Sequence, residues 1–181
     1  INNFIKENGL PIFIKPANLG SSIGISKVSR QKDIKEALQT AFNYDSKVIL
    51  EKSITAREIE CSVIGKNEFK ASLPGEIIPS HEFYDYQSKY EDEKTRLIIP
   101  AELEDEVIKN IQDIAIKAFE IIEGEGLARV DFFLKEKEVF INEINTIPGF
   151  TKYSMYPKLW EASGIAYPAL IDELVNIALK N

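Results

Sequence analysis

Four polar side chains near the C-terminal end of the chain have the types and spacing of a charged binding site. They are one guanidinium, two carboxylates and one amide: Arg129, Asp131, Glu143 and Asn145. We predict strands over residues 130–134 and 139–144, because β-branched and aromatic residues alternate there with polar ones. This alternation puts Arg129 on one face with Asp131, and Glu143 on one face with Asn145. A hairpin loop of three or five residues would place Asp131 opposite Glu143 and bring the two faces together.

Carboxylate and amide oxygens, without histidine or cysteine, suit a hard cation such as Mg²⁺ or Mn²⁺, which usually completes its shell with phosphate and water. The alternative is that these residues are solvated positions on a half-exposed sheet, as most charged strand residues are. Two carboxylates directly opposite each other destabilise a hairpin unless a positive charge lies between them, which favours the metal hypothesis. That hypothesis requires a phosphate-binding segment elsewhere in the chain.

A glycine- and serine-rich loop near the N-terminal end could supply the phosphate contacts. It follows a predicted buried strand over residues 11–17 and has the sequence N-L-G-S-S-I-G. Its glycines permit tight turns and close approach to a ligand, its serines add hydroxyl donors, and a lysine of the strand would place a positive charge nearby. These residues are Gly20, Gly24, Ser21, Ser22 and Lys15. The loop matches neither the Walker A nor the G-x-G-x-x-G pattern, and a Gly/Ser hairpin turn is the commoner explanation of such a segment.

The composition limits the partners and the compartment. A chain of 181 residues with 44% hydrophobic residues can bury a sizeable core. The net charge of −7 argues against nucleic acid and against an anionic membrane as the main partner. No apolar run approaches the roughly 18 residues of a membrane span, no signal peptide opens the chain, and a single cysteine favours the reducing cytoplasm. Alternation groups that cysteine, Cys61, with Ile59 and Val63, so we predict a core residue rather than a nucleophile.

Periodicity predicts an α+β fold of two lobes. Apolar stripes predict helices over about residues 31–43, 102–122, 156–163 and 169–179, and alternation predicts further strands over residues 48–52 and 58–64. We expect the first lobe to span residues 1–66 with the glycine-rich loop, and the second to span residues 67–181 with the charged hairpin. Because the chain begins at Ile1 in what resembles the end of a helix, we expect a fragment of a longer protein.

The segment over residues 81–94 is too irregular for either period and is long for a loop inside a compact domain. Tyr84, Tyr86 and Tyr90 offer rigid amphipathic contacts, and Lys89 a mobile charge able to reach phosphate. A lid over a ligand and a surface loop with its tyrosines packed beneath it explain this composition equally well.

Five segments in a fixed order connect these features to a known family. They are K-P-A-N-L-G-S-S-I-G, E-K-S-I-T-A-R-E, F-Y-D-Y-Q-S-K-Y, L-A-R-V-D-F-F and I-N-E-I-N-T-I-P-G-F-T. Together they resemble the D-alanine–D-alanine ligase family of the ATP-grasp superfamily, over the family's central and C-terminal domains and without its N-terminal domain. The resemblance implies an ATP-grasp fold, in which the nucleotide is held between antiparallel sheets of two α+β lobes.

The resemblance also implies an activity, which is ATP-dependent ligation of two D-alanine molecules through an acyl phosphate, for peptidoglycan precursors. Asp131, Glu143 and Asn145 match the family's ligands for two Mg²⁺ (or Mn²⁺) ions. Arg129 and the backbone N–H of Gly149 match the groups that stabilise the oxyanion of the tetrahedral intermediate. A homodimer is implied for the full-length protein.

Further residues correspond to the family's nucleotide and substrate contacts. Those for ATP are Lys15 and Lys89 at the phosphates, Ser22 in the glycine-rich loop, Glu51 and Lys52 in the hinge segment at the adenine with Ile54 beside them, and Glu58 at the ribose. Those for D-alanine are Ser21 and Tyr90 at the first molecule, and Ser154 and Met155 at the carboxylate of the second. The Y-D-Y-Q-S-K-Y loop favours an amine over a hydroxyl nucleophile.

One departure from the family concerns the hairpin between Asp131 and Glu143, which is about one residue shorter than the family's. Three hypotheses remain: the ligase, an Mg-ATP-binding module that is inactive because the missing domain carries first-substrate contacts, and another ATP-grasp carboxylate–amine ligase. We expect the parent protein to be the ligase and the isolated chain to be inactive or nearly so.

Overall fold

The computed structural model of the chain describes residues 1–20, 22–79 and 95–179. The remaining residues include Ser21, Lys89 and Tyr90, together with the rest of the 81–94 loop. Their roles in nucleotide and substrate binding therefore lie outside the described residues and stay predictions.

Five α-helices and nine strands lie within the described ranges. The helices are α1 (Asn2–Asn8), α2 (Ile34–Phe42), α3 (Asp105–Ile121), α4 (Met155–Ala162) and α5 (Tyr167–Leu179). The strands are β1 (Ile12–Pro16), β2 (Ser26–Val28), β3 (Val48–Lys52), β4 (Arg57–Gly65), β5 (Phe69–Ala71), β6 (Gly75–Ile78), β7 (Arg96–Ile98), β8 (Gly126–Lys135) and β9 (Glu138–Asn145). The α+β class and the four predicted longer helices are confirmed, with helix ends shifted by a few residues.

The shift is clearest at α3, which begins at Asp105 rather than near residue 102. The preceding residues are held by bonds to other elements. The backbone N–H of Ala101 donates to the Pro74 carbonyl at 2.8 Å, and Arg57 Nη2 donates to the Glu102 carbonyl at 3.2 Å. Tertiary hydrogen bonds therefore override local helix propensity there.

The chain forms two compact units, and the first includes Ile1–Thr55. The second includes Ala56–Ile78 and the chain from Arg96 onward. The predicted lobe boundary at residue 66 would put β4 in the first lobe. The strand lies in the second unit instead, because it pairs along its whole length with β8.

The first unit contains a three-stranded antiparallel sheet in the order β2-β1-β3. The helices α1 and α2 contribute apolar side chains to a core with one face of this sheet. The buried members of that core alternate along β1, include the last residue of β2 and recur with helical spacing on α2: Ile12, Ile14, Val28, Ile34, Ala37 and Ala41. The intervening β1 residues Phe13 and Lys15 belong to the other face.

The second unit contains a sheet in the order β7-β6-β4-β8-β9, with β5 pairing beside β6 on the same edge of β4. The helix α3 packs on one face over a core of alternating strand residues. These are Ile59, Cys61, Val63, Ala128, Val130, Phe132 and Leu134, which meet Val107, Ile111, Ala115 and Phe119 of the helix. The opposite face carries Glu60 and Ser62 of β4 and Arg129 and Asp131 of β8.

Helices α4 and α5 pack on this opposite face at one end of the sheet. Their Tyr156, Trp160 and Leu170 form a small core with Ile64 of β4. Two hydrogen bonds fix α4 to β4: Ser62 Oγ donates to the Tyr156 carbonyl at 3.3 Å, and the Tyr156 hydroxyl donates to the Val63 carbonyl at 3.1 Å. The charged residues thus lie farther along the same sheet face.

Within the described ranges, no single helix has both the length and the apolar composition of a membrane span. The pair α4 and α5 meets such a criterion only when both are taken together, across a bend of 104°.

Cys61 is a core residue, as predicted. Its side chain is fully buried, and its Sγ lies 3.4 Å from the Ser72 carbonyl oxygen, to which it donates a weak hydrogen bond. Burial raises the pKa of the thiol from 9.0 to about 12. The group is therefore neutral and inert at physiological pH.

We expect Cys61 to react with the thiol reagent DTNB at pH 8 only as fast as the protein opens. With the pKa at about 12 instead of 9.0, the thiolate fraction in the folded state is about 1000-fold lower than in the unfolded state. The raised folded-state pKa also means that stability is unaffected below about pH 9 and falls as the pH rises from there towards 12. Stoichiometric labelling of the native chain at the rate of the guanidinium-unfolded control would contradict the burial.

Candidate functional site

The hairpin of β8 and β9 presents the predicted charged residues on one face, as expected. Arg129 lies opposite Asn145 and Asp131 lies opposite Glu143. The condition of a three- or five-residue loop is not met, because Lys135 pairs with Glu138 and leaves a two-residue turn. Asp131 and Glu143 nevertheless meet.

A β-bulge corrects the register. Between the pairs Phe132–Ile141 and Asp131–Glu143, strand β9 contains one extra residue, Asn142. With a two-residue turn and a regular ladder, Asn142 itself would stand opposite Asp131. The bulge therefore brings Glu143, rather than Asn142, to the face that Asp131 occupies.

Arg129 is held by two carboxylates. Its Nε and Nη2 donate to Asp131 Oδ1 and Oδ2 at 2.7 and 2.8 Å. Glu60 Oε2 lies 3.0 Å from the same Nε. Burial alone would lower the pKa of Arg129, but the hydrogen bonds to Asp131 and the charges of Glu60, Asp131 and Glu143 offset it and raise the pKa. The guanidinium is therefore permanently charged at this place.

Glu60 is a member of this site that sequence analysis missed. It lies directly opposite Asp131 in the pairing of β4 with β8, and its side chain is only 8% exposed. A signal was present in the sequence, since Glu60 follows Glu58 by two residues on a predicted strand and therefore shares its face. Knowing that β4 adjoins β8 required the tertiary structure.

Asn145 completes the group, which we call the acidic cluster: Glu60, Arg129, Asp131, Glu143 and Asn145. The Asn145 amide nitrogen donates to Asp131 Oδ2 at 2.9 Å and to Glu143 Oε1 at 3.3 Å. Three carboxylates surround one guanidinium, so the cluster has an excess of negative charge.

The acidic cluster fits a hard cation by its donor chemistry. Asp131 and Glu143 face each other, and rotating the Asn145 amide by half a turn would present its oxygen to the same space. Among the described residues, no group of three or more His, Cys, Asp or Glu side chains is arranged to hold a metal ion. The predicted metal ligands number three only because they include the Asn145 amide beside the carboxylates of Asp131 and Glu143.

The segment from Gly149 to Met155 enters α4, which packs on the sheet face of the acidic cluster. The Thr151 backbone N–H donates to Ser154 Oγ at 3.0 Å, and a Cβ on Gly149 would approach that oxygen to 3.1 Å. Met155 is buried, so any contact it makes with a substrate would involve its backbone. The loop is thus a tight turn at the first residue of a helix.

The first unit holds the predicted nucleotide-binding residues of the N-terminal part. Lys15 Nζ and Glu51 Oε1 form an ion pair at 2.6 Å on the sheet face opposite the helices. Lys52 is the next residue of β3, and its side chain lies on the other face of the sheet. On the face of Lys15 and Glu51, Lys52 can therefore offer only its backbone. Ile54 follows β3 and is half-buried, while Glu58 belongs to β4 in the second unit, on the strand face of Glu60.

The glycine-rich loop makes a tight turn anchored at its first residues. The Asn18 backbone N–H and Nδ2 donate to Asp45 Oδ2 at 2.8 and 2.7 Å, and the Lys47 N–H donates to Asp45 Oδ1 at 3.0 Å. The Lys47 bond, followed by those from Asn18, lowers the pKa of Asp45. Ser22 and Gly24 both have left-handed backbones, at φ 60° and 74°. This anchor was not foreseen from the sequence.

Gly24→Ala should destabilise the first unit by about 1–3 kcal/mol. Besides the left-handed φ, a Cβ there would lie 2.7 Å from Tyr44 Cδ2 and 2.8 Å from Pro16 Cγ. Gly20→Ala is the matched control, because a Cβ at Gly20 meets nothing within 4 Å. Urea unfolding followed by amide exchange in β1 and β2 measures both, and equal losses for the two variants would refute the steric argument.

Arg129→Met should cost about 3 kcal/mol of unfolding free energy at neutral pH, because the facing carboxylates lose their cation. Addition of 10 mM Mg²⁺ should restore part of this loss if the cluster binds hard cations. Arg57→Met is the control, since Arg57 pairs with the buried Glu76 on the opposite sheet face at 2.7 Å. Denaturant unfolding at matched ionic strength tests this, and equal Mg²⁺ effects on both variants would contradict it.

Comparison with known proteins gives a consistent match. Residues 1–176 match the model of the family described as D-ala D-ala ligase C-terminus. The chain is 60% identical over 174 residues to the D-alanine–D-alanine ligase of Halothermothrix orenii, covering 96% of the chain and 51% of the relative. It is 54% identical over 176 residues to that of Geobacillus kaustophilus, covering 97% and 48%. The chain therefore spans about half the length of the curated relatives it matches.

Comparison with solved structures leads to the same family. A D-alanine–D-alanine ligase from Coxiella burnetii superposes with a TM-score of 0.82 at 41% identity, covering 98% of this chain and 47% of that one. The VanG D-Ala:D-Ser ligase from Enterococcus faecalis gives 0.87 at 35%, covering 98% and 52%. A Bacillus anthracis D-alanine–D-alanine ligase complexed with ATP gives 0.81 at 29%, covering 99% and 57%. The ATP-grasp fold is thereby confirmed, and the chain belongs to the D-ala D-ala ligase C-terminal family.

Proposed function

We propose that this chain is the ATP-binding part of a D-alanine–D-alanine ligase. The enzyme would use ATP to convert the carboxylate of one D-alanine to an acyl phosphate and join it to the amine of a second, for peptidoglycan precursors. The observation that carries the proposal is the acidic cluster, in a chain 60% identical to a ligase of that name. Its carboxylates and guanidinium match the charge requirements of phosphoryl transfer to a carboxylate.

Asp131, Glu143 and Asn145 would hold the Mg²⁺ or Mn²⁺ ions. Bound there, two such ions would neutralise charge that develops on the phosphates during transfer. The fit rests on the opposed carboxylates and on the Asn145 amide, whose nitrogen lies 2.9 Å from Asp131 Oδ2 and whose oxygen would take that place after a half-turn. The negative excess of the cluster favours cation binding electrostatically.

Arg129 would stabilise the oxyanion of the tetrahedral intermediate, with the backbone N–H of Gly149 as a second donor. A preorganised guanidinium suits this role because its ion pairs already fix its position. Ser154 and the Met155 backbone at the start of α4 would bind the carboxylate of the second D-alanine. Ser21 and Tyr90 would orient the first.

ATP would be contacted by Lys15, Ser22 and Lys89 at or near its phosphates. Glu51, Lys52 and Ile54 would meet the adenine, and Glu58 the ribose hydroxyls. The ion pair of Lys15 with Glu51 supports this assignment, since it brings two of the proposed ATP contacts together on one sheet face. The ATP complex of the Bacillus anthracis relative supports the choice of nucleotide.

The remaining parts of the proposal concern the organisation of the whole protein. The glycine-rich loop and the charged hairpin would belong to the central and C-terminal domains, completed by an N-terminal domain in the full-length enzyme. That enzyme would be a cytoplasmic homodimer, with no nucleic acid or membrane among its partners. An Mg-ATP-binding module without activity, or an ATP-grasp ligase for another carboxylate and amine, are the alternatives.

D-serine is a specific alternative for the second substrate. The VanG D-Ala:D-Ser ligase superposes with a TM-score of 0.87. Identity with it is 35%, against 60% with the Halothermothrix orenii D-alanine–D-alanine ligase, which favours D-alanine.

The test uses two proteins: the 181-residue chain, and a chimera joining it to the N-terminal half of the Halothermothrix orenii relative. Calorimetry with the ATP analogue AMP-PNP should detect binding that requires Mg²⁺ and is lost in an Asp131→Ala/Glu143→Ala variant. The chimera should release ADP on addition of D-alanine, and adding D-serine should not raise the rate, whereas a D-serine-using ligase would release ADP faster. The chain alone should be inactive or nearly so.

Two outcomes would overturn parts of this proposal. Metal-independent binding that survives the double substitution would remove the acidic cluster from the nucleotide site. A chimera that binds AMP-PNP with Mg²⁺ but turns over another carboxylate, and not D-alanine, would establish the third alternative.

A further inference from the structure

The Asp131 carboxylate would have to serve two partners, Arg129 and the proposed divalent cation. In the structure both of its carboxylate oxygens accept hydrogen bonds from Arg129, at 2.7 and 2.8 Å, and Oδ2 also accepts one from Asn145. As a proposed ligand for a divalent ion, the same carboxylate would have to direct at least one oxygen to that ion. Cation binding therefore weakens the bidentate pair that positions Arg129.

Glu60 is placed to compensate. Its Oε2 lies 3.0 Å from Arg129 Nε, whose single hydrogen is now directed to Asp131 Oδ1. A small rotation of the guanidinium would redirect that hydrogen to Glu60 without moving the side chain away from the cluster. Glu60 thus offers a second acceptor at the same nitrogen.

Apolar side chains of α4 lie beside Glu60 on the neighbouring strand. The residue opposite Glu60 on β6 is Gly75, and a Cβ there would lie 2.7 Å from Leu159 Cδ2 and 3.4 Å from Met155 Sδ of α4. Glu60 therefore lies between a position that α4 covers with apolar atoms and the β8 residues Arg129 and Asp131. A buried carboxylate in such a place is stabilised by its ion pair.

We infer that Glu60 is a positioning residue that retains the Arg129 guanidinium when Asp131 engages a divalent cation. This inference rests on the proposed function, since it requires the cation and the role of Arg129. It predicts an effect that depends on the cation. Without it, Asp131 alone is sufficient to fix Arg129, and Glu60 is dispensable for its orientation.

The test compares Glu60→Gln with Glu76→Gln in the 181-residue chain. Glu76 is a matched control, because it is also buried and paired with an arginine, Arg57, but on the opposite face of the sheet. The readout is exchange of the Arg129 Nε hydrogen with water, by ¹⁵N NMR, with the signal assigned through Arg129→Lys. Measurements are made without cation and with Mg²⁺ and AMP-PNP.

Without cation, the Arg129 exchange rate should agree within about 3-fold among wild type, Glu60→Gln and Glu76→Gln. With Mg²⁺ and AMP-PNP, it should rise at least about 10-fold in Glu60→Gln alone. Nucleotide affinity by calorimetry should change less than about 3-fold. In the chimera, Glu60→Gln should lower kcat at least about 10-fold with little change in the KM for ATP, since Arg129, the proposed transition-state contact, would no longer be held in position.

Failures of the two proposals are distinguishable. If wild type binds Mg²⁺ and AMP-PNP and the chimera ligates D-alanine, yet Glu60→Gln matches wild type in exchange and in kcat, the inference about Glu60 is wrong and the proposed function stands. If wild type does neither, the proposed function fails and the inference with it. Should Glu60→Gln not fold, Glu60→Asp, which keeps the charge but withdraws it by one methylene, should show the same changes at intermediate size.

Discussion

The antiparallel pairing of β4 with β8 decides which side chains of the second unit enter the core and which face ligands. The register runs without interruption from Arg57–Leu134 to Gly65–Gly126. Every second residue of both strands then packs under α3, and the intervening residues lie on the opposite face. Arg129, Asp131 and Glu60 are neighbours only because this register holds. A shift of β8 by one residue against β4 would turn Arg129 and Asp131 towards the α3 core while Glu60 kept its face, which would divide the group and bury two charged side chains among apolar ones.

The strand pattern made part of this predictable. Alternation in residues 130–134 and 139–144 is enough to assign the faces within each strand, but the facing of Asp131 and Glu143 depended on the loop length and is reached in the structure through a bulge. The turn length could not be predicted, because the K-E-K-E sequence of residues 135–138 is compatible with several hairpin loops and a bulge leaves no mark in the composition of β9. Glu60 could not be assigned to the site from the sequence, for a different reason. Its neighbours are set by which strands adjoin in the sheet, and this order is a property of the tertiary fold rather than of the local pattern.

The first unit shows the same division between local and non-local information. The helix α2 follows from its apolar spacing, and Gly24 from the need for a left-handed residue in a tight turn. The bonds from Asn18 to Asp45 join residues on either side of β2 and α2, so neither residue type predicts the other. Lys15 and Glu51 could be assigned to neighbouring strands, but their ion pair depends on β1 and β3 being adjacent and antiparallel.

The two-residue turn and the bulge at Asn142 also bear on how hairpins of this family can differ in length. A hairpin one residue longer in the turn would reach the same Asp131–Glu143 pairing with a regular ladder. One residue added to the turn therefore has the same effect on the pairing as one bulge residue in the strand, because each shifts the register of β9 by one position. An insertion or deletion at the tip can therefore become neutral for the site through a second change several residues away, so two hairpins with turns of different length can present the same charged face.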